Sequence, residues 1–160
     1  MAISSANAGA APKVRKVETL TSGTSWTVPT GVEFVNATLI GGGGGGAGSP
    51  GLNNTGTSSN GADGLGGAII TTTVTTTPGA SIAYAIGAGG ASATAGGTTT
   101  FTGATSAVGG NAGIAGNSST GNAGTPGNVA LNYGGAGGPS NNGSTGGAGG
   151  AGQIVIEYWV

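Results

Sequence analysis

Alternating apolar and polar positions mark several short strands, and no stretch has the spacing of an amphipathic helix. β-branched and aromatic residues concentrate between turn residues, which is typical of strands. At the C-terminus Ile154, Ile156, Tyr158 and Val160 fall on one face of an extended chain. The pattern predicts strands at Val17–Thr21, Ser25–Val28, Val32–Ile40, Ala68–Thr77, Ser81–Ile86, Thr98–Thr102, Val129–Tyr133 and Gln153–Val160.

Turn residues separate the predicted strands, with Pro29-Thr30-Gly31 and Pro78-Gly79 as the clearest turns. A terminal strand as apolar as Gln153–Val160 must be buried in a sheet or an interface, because an exposed one would aggregate. We therefore expect an all-β fold without α-helix. The simplest arrangement is a small antiparallel β-sandwich that pairs the terminal strands, with inserted glycine-rich segments looping from its edges.

Glycine changes this picture, because it accounts for 40 of the 160 residues. All glycines except Gly9, Gly23 and Gly31 lie between residues 41 and 152, and all of these but Gly79 fall in tracts at 41–67, 87–97, 103–128 and 134–152. Ordering so much glycine has a large entropic cost that sparse side chains cannot offset. Hydrogen bonds between closely packed threefold extended helices would contribute, and they require glycine at every third residue. Such runs are Gly61/64/67, Gly110/113/116, Gly121/124/127, Gly135/138 and Gly143/146/149/152.

Three interpretations of the glycine tracts stay open. Collagen is excluded, because it needs an unbroken period of three with abundant proline, and the chain has six prolines. A flexible glycine–serine linker, tight glycine loops and packed polyglycine-II-like helices remain. Alternation of the tracts with strands favours packed helices or tight loops over a linker.

Most catalytic chemistry is absent from the composition. The chain has no cysteine and no histidine, which excludes disulfides, thiolate zinc sites and His- or Cys-based catalysis. Glu18, Glu33, Asp63 and Glu157 are scattered without the spacing of a catalytic pair. The run Gly41–Gly46 leads into Ala-Gly-Ser-Pro-Gly, which cannot begin the helix that a dinucleotide site needs. We expect no enzyme, no cofactor and no metal.

Charge is sparse, with three basic and four acidic residues and a formal net charge of −1. The only cations, Lys13, Arg15 and Lys16, are too few for a nucleic-acid footprint. They form either a solvated cluster or an anchoring segment that docks on a larger assembly. We expect residues 1–17 to be a flexible attachment arm and residues 18–160 to be the glycine-rich β domain.

No apolar run approaches the length of a membrane span, and no signal-peptide core follows the N-terminus.

Uncharged polar stretches beside the glycine tracts are the candidate recognition surface, the alternative being ordinary turn chemistry. Their candidate contact residues are Asn53, Asn54, Thr57, Asn60, Asn117, Asn122, Asn132, Tyr133, Asn141 and Asn142.

Threonine runs at 71–73, 75–77 and 98–100 invite an ice-binding interpretation. High β propensity of threonine on an exposed face is the simpler explanation and is favoured.

One family resemblance connects these motifs. Trp26-Thr27-Val28-Pro29-Thr30-Gly31-Val32 leads into Thr38-Leu39-Ile40 and the glycine run 41–46. Thr77-Pro78-Gly79, Gly87-Ala88-Gly89-Gly90, Gly96-Gly97-Thr98-Thr99-Thr100-Phe101 and Gly149-Gly150-Ala151-Gly152 follow in order. Over roughly residues 18–160 this order resembles the glycine-rich domain at the ends of bacteriophage tail fibres.

The resemblance implies a β-sandwich with packed polyglycine-II segments, displayed on a virion, that binds a host-cell receptor without catalysis. It implies a homo-oligomer, expected to be a trimer, joined to another virion protein through the N-terminal arm. Because no long fibre shaft precedes the domain, we expect either a tail-fibre tip or a capsid spike. A purely architectural capsid or tail decoration protein is the alternative, and an ice-binding protein a more distant one. No receptor contact is fixed by motif.

Overall fold

The computed structural model describes residues 12–48, 61–115 and 145–160. In these ranges the chain forms strands and extended segments and no helix, so the expected all-β class is confirmed. The strands are β1 (Arg15–Leu20), β2 (Ser25–Thr27), β3 (Phe34–Ile40), β4 (Ile69–Thr75), β5 (Ser81–Ala85), β6 (Thr100–Phe101) and β7 (Gln153–Trp159). The strand predicted at Val129–Tyr133 lies outside the described residues.

Two antiparallel sheets enclose the hydrophobic core. One has the order β1-β7-β3-β4 and the other β2-β5-β6, so the two terminal strands pair as expected. Alternate residues of β3 and β7 point inward, and Leu39, Ile154 and Ile156 are fully buried. The second sheet supplies Trp26 and Phe101, whose ring centroids are 6.3 Å apart.

Turns shorten the observed strands relative to the predicted ones. Pro29 accepts a hydrogen bond from Val32, and Gly31 has φ of 79°, which is the geometry of a type II turn. β3 therefore begins at Phe34 and not at Val32. The predicted turn at Pro78-Gly79 is also type II, with Gly79 at φ 78°. At the N-terminus, β1 begins at Arg15, so residues 15–17 of the predicted flexible arm belong to the sheet.

Glycine segments continue the strands lengthwise, which corrects the expectation that they loop from the edges of the sandwich. We name the described segments PG1 (41–48), PG2 (61–68), PG3 (87–93), PG4 (94–98), PG5 (107–115) and PG6 (145–152). The register of the β3–β4 ladder ends at Ile40 opposite Ile69 and carries on, because the amide groups of PG1 donate to PG2 in the same register. β3 and β7 continue in the same way into PG1 and PG6, and β5 and β6 into PG3 and PG4.

PG1 is the central segment of a bundle held by backbone hydrogen bonds. Its successive N–H groups donate to PG2, PG4 and PG6 in turn, and the cycle repeats every three residues. The bonds, 2.8–2.9 Å long, are Gly41→Ala68, Gly42→Gly97, Gly43→Gly150, Gly44→Leu65, Gly45→Thr94, Gly46→Gly147 and Ala47→Ala62. PG1 carbonyls accept from PG3 and PG5, so the described residues supply five neighbours around it. This threefold pattern is that of packed polyglycine-II helices.

Close approach of the backbones explains four of the six glycines between residues 41 and 46 of PG1. A Cβ on Gly41, Gly42, Gly44 or Gly45 would lie 1.8–2.1 Å from a carbonyl oxygen of PG3 or PG5. The outer segments need glycine only at the positions, three residues apart, that face the bundle. Gly61, Gly64 and Gly67, predicted as one period-three run, all face carbonyls of PG1.

Candidate functional site

Both long polar segments leave the bundle at one end, which we call the distal end. Ala47 of PG1 donates to Ala62 of PG2, and Ala62 donates to Ile114 of PG5. Gly46 of PG1 similarly donates to Gly147 of PG6. The chain therefore departs after residues 48 and 115 and returns at residues 61 and 145 at the same level of the bundle. The two connections carry residues 49–60 and 116–144.

All the predicted receptor-contact residues belong to these two connections. They lie outside the described residues: Asn53, Asn54, Thr57, Asn60, Asn117, Asn122, Asn132, Tyr133, Asn141 and Asn142. The described bundle brings together the points at which the two connections leave and return.

A tight turn between PG3 and PG4 also lies at the distal end, and it was not predicted from the sequence. Thr94 donates to the Ala91 carbonyl, and Ala93 has φ of 52°, a left-handed conformation that is uncommon for alanine. The Ser92 hydroxyl lies 3.3 Å from the Gly46 carbonyl, to which it donates, and accepts from the Gly146 amide at 3.0 Å. The interruption of glycine by Ala-Ser-Ala-Thr was the only sequence signal for this turn.

The predicted attachment residues lie at the opposite end. Lys13, Arg15 and Lys16 are exposed at the start of β1, whose Arg15 is opposite Trp159 near the end of β7. From Trp159 to Gln153 the strand spans about 20 Å, and PG1 from residue 41 to 47 adds about 19 Å. The cations and the distal end are therefore separated by roughly 40 Å along the strand and bundle.

The single ion pair in the described part of the chain lies beside these cations. The Arg15 guanidinium donates to the Glu157 carboxylate on β7. This hydrogen bond raises the pKa of Arg15, and it lowers the pKa of Glu157 against a smaller opposing effect of desolvation. Both groups are solvated, so the pair contributes little to stability. The other two cations are Lys13, just before β1, and Lys16 within it.

The Glu18 carboxylate of β1 links the two sheets through a polar cluster. Its carboxylate accepts from the Trp26 indole at 2.8 Å and from the Tyr158 hydroxyl. Trp26 and Tyr158 also pack together, with ring centroids 5.8 Å apart. The hydrogen bond to Glu18, together with burial, raises the pKa of Tyr158 to about 12. The cluster is structural: it joins three strands, and its carboxylate already has two donors.

Residues 12–48, 61–115 and 145–160 contain no group of three or more acidic, histidine or cysteine residues that could bind a metal ion. Their secondary structure includes no helix long and apolar enough to cross a membrane. Among the predicted threonine runs, Thr71, Thr73 and Thr75 are exposed on the outer face of β4.

The match to a known family agrees with this architecture. A family model described as a glycine-rich domain matches residues 19–132. The chain belongs to this glycine-rich domain family. The matched range begins in β1 and includes PG1 to PG5, so the central glycine run falls within the family domain. PG6 and β7 complete the bundle and the larger sheet beyond it. No curated protein matches the chain.

Proposed function

We propose that this glycine-rich domain is a non-catalytic structural protein of a bacteriophage particle, at a tail-fibre tip or surface spike, and binds a receptor on the host cell. The observation that carries the proposal is that the two ends of the molecule differ chemically. The two amide- and hydroxyl-rich connections leave from the distal end, and the cationic start of β1 lies at the other. An attachment protein needs this separation, because it must bind its particle and its target at the same time.

The bundle is well suited to present the connections. Its backbone hydrogen bonds repeat along PG1, and the Ser92 hydroxyl joins PG1 to PG6 near the distal end. A rigid support lowers the entropy that a recognition surface loses on binding. Uncharged amide and hydroxyl side chains then offer adaptable hydrogen bonds to a receptor.

Binding of the purified full chain to cells of the host bacterium tests the proposal. One variant replaces Asn53, Asn54, Thr57 and Asn60 by alanine, and a second replaces Asn117, Asn122, Asn132, Asn141 and Asn142 by alanine and Tyr133 by phenylalanine. We expect the wild-type chain to bind and at least one variant to lose binding while keeping its circular dichroism spectrum. Ala88→Ser, on the exposed side of PG3, is the matched control and should bind normally.

Two results would overturn this function. One is a wild-type chain that does not bind host cells together with full infectivity of particles lacking it. The other is imaging that places the chain on the particle away from any distal tip, as expected for an architectural decoration protein. Mass in solution tests the accompanying proposal that the protein is a homotrimer.

A further inference from the structure

Among the strands of the described residues, β1 has an open edge. In the order β1-β7-β3-β4 it pairs with β7 on one side only. Val14 and Val160 exchange two backbone hydrogen bonds, at 2.6 and 3.0 Å. Hydrogen-bonded pairs alternate along an antiparallel ladder, so the even-numbered residues of β1 bond to β7. The N–H and C=O groups of Arg15, Val17 and Thr19 therefore point away from β7, towards the open edge.

The opposite edge of the same sheet provides a comparison. Thr76 donates to the Glu33 carbonyl, so the backbone groups of Thr71, Thr73 and Thr75 on β4 also point away from the sheet. β4 carries no charged residue, whereas the three cations of the chain are Lys13, Arg15 and Lys16. Two strands of one sheet thus share the same edge geometry and differ in charge.

Charge selects the kind of strand that fits the β1 edge. The Glu157 carboxylate compensates Arg15, and the Glu18 carboxylate is bonded to Trp26 and Tyr158. With both carboxylates counted, the exposed Lys13 and Lys16 leave a net positive charge at this edge. Lys16 lies on the face of the sheet opposite to Lys13 and Arg15, because successive side chains alternate. An added strand would therefore meet a cation on each of its faces. Backbone bonds would give it affinity, and carboxylates would give it specificity.

We propose that the open edge of β1 binds an extended, carboxylate-rich segment of another virion protein as an added β-strand. This inference rests on the proposed function only for the source of the segment; strand addition at β1 is tested separately. The alternative is that the cations merely prevent edge-to-edge aggregation, as lysine does on many edge strands. In that case β1 binds no strand of either charge.

The probe is an extended peptide of alternating threonine and glutamate, titrated into the full chain and followed by backbone amide resonances. We expect the resonances of Arg15, Val17 and Thr19 to shift while those of Thr71, Thr73 and Thr75 do not. A peptide with glutamine in place of glutamate should bind about tenfold more weakly, and added salt should reduce this difference.

Two proline variants separate the edges. Val17→Pro removes an N–H group that faces the open edge of β1 and leaves its bonds to β7 intact. Thr75→Pro makes the matched change on β4. We expect Val17→Pro to abolish peptide binding and Thr75→Pro to leave it unchanged. Should either proline prevent folding, the double variant Lys13→Gln, Lys16→Gln keeps all backbone groups and should weaken binding of the glutamate peptide about tenfold.

Equal binding of the two peptides would overturn the inference, and so would absence of binding or shifts confined to β4. These outcomes are independent of cell binding. Val17→Pro should still bind host cells through the distal end, whereas the distal variants should still bind the glutamate peptide. Peptide binding without cell binding would remove the receptor function and leave the β1 edge as an assembly site.

Discussion

The sandwich and the glycine bundle share continuous antiparallel ladders, which run from β4 and β7 into PG2 and PG6, but the two regions are stabilised in different ways. In the sandwich, side chains from two sheets fill a core around Trp26, Leu39 and Phe101. In the bundle, PG1 has almost no side chains, and its backbone N–H groups bond to three neighbours in turn. Continuous register from β3 into PG1 shows that one ladder passes from the first kind of packing to the second.

The two regions differ in the atoms that fill their interiors, which are side chains in the sandwich and backbone in the bundle. A core residue such as Leu39 stabilises by the apolar surface it removes from water. At Gly44 the neighbouring backbones already fill that space, so any side chain would displace a carbonyl. Removal of atoms should therefore damage the sandwich, and addition of atoms should damage the bundle.

Gly44→Ala should have the largest effect. The new Cβ would lie 2.1 Å from the Asn111 carbonyl oxygen, so the buried backbones of PG1 and PG5 must separate. We expect a loss of about 4 kcal/mol or more in the free energy of unfolding, measured in urea. Ala88→Ser adds an atom on the exposed side of PG3 and should change it by less than about 0.5 kcal/mol. A similar small change for both variants would show that the bundle is not closely packed.

Leu39→Ala tests the sandwich in the opposite direction. Leu39 is fully buried between the sheets, and its truncation should reduce the free energy of unfolding by about 2–5 kcal/mol. Phe34→Ala, on the same strand, is the control, because 51% of Phe34 is exposed. If both truncations were equally destabilising in a thermal melt, the outer face of β3 would be buried by something other than the described residues.

Thr99→Val tests the junction between the two regions. Thr99 is fully buried, and its hydroxyl donates to the Ile40 carbonyl at 2.7 Å and accepts from the Gly87 amide at 3.0 Å. Valine has nearly the same shape but leaves both backbone groups without this partner, which should destabilise the chain by about 2–3 kcal/mol. Thr99→Ser keeps the hydroxyl and should retain most of the stability. Equal denaturation midpoints for the two variants would contradict a role for the hydroxyl.

Much of the sandwich could be predicted from the sequence, because its signals are local. Alternation marks β3 and β7, and Pro78-Gly79 fixes a type II turn. In the bundle, the period-three spacing of glycine predicted which residues of a segment face the adjacent segments. The sequence does not contain the order of the neighbours, since PG6 reaches PG1 from more than a hundred residues away in the chain. Packing of distant segments decides that order.

The candidate site was less accessible to sequence reasoning. Polar composition singled out residues such as Asn53 and Asn117, but nothing local indicates that their segments leave one end of a bundle. That relation depends on the parallel course of PG1 and PG5 and on the return of PG2 and PG6. Ser92 shows the same limit, because its hydroxyl acts on the backbones of two distant segments. The open edge of β1 likewise follows from strand order and not from the Lys-Val-Arg-Lys sequence.

The smallest expected effect concerns Tyr158, which joins β7 to Glu18 at the sandwich end. The hydrogen bond to Glu18 and burial raise its pKa from 10.0 to about 12, so the folded chain keeps this proton to higher pH than the unfolded chain does. The stabilisation is therefore complete below pH 10 and is lost as pH rises towards 12. Tyr158→Phe should lower the free energy of unfolding by about 1–2 kcal/mol at neutral pH and lessen the alkaline decline.

Tyr84→Phe is the matched control for this prediction. The Tyr84 hydroxyl donates to the Ser22 carbonyl at 2.7 Å, so this variant also loses one hydrogen bond from a buried tyrosine. It should keep the alkaline decline, because Tyr158 and Glu18 remain. Urea denaturation of both variants from pH 7 to 12 separates the two effects. An alkaline decline that persists unchanged in Tyr158→Phe would mean that another group controls it, and that the Glu18 bond does not stabilise the junction of β1, β2 and β7 as its geometry indicates.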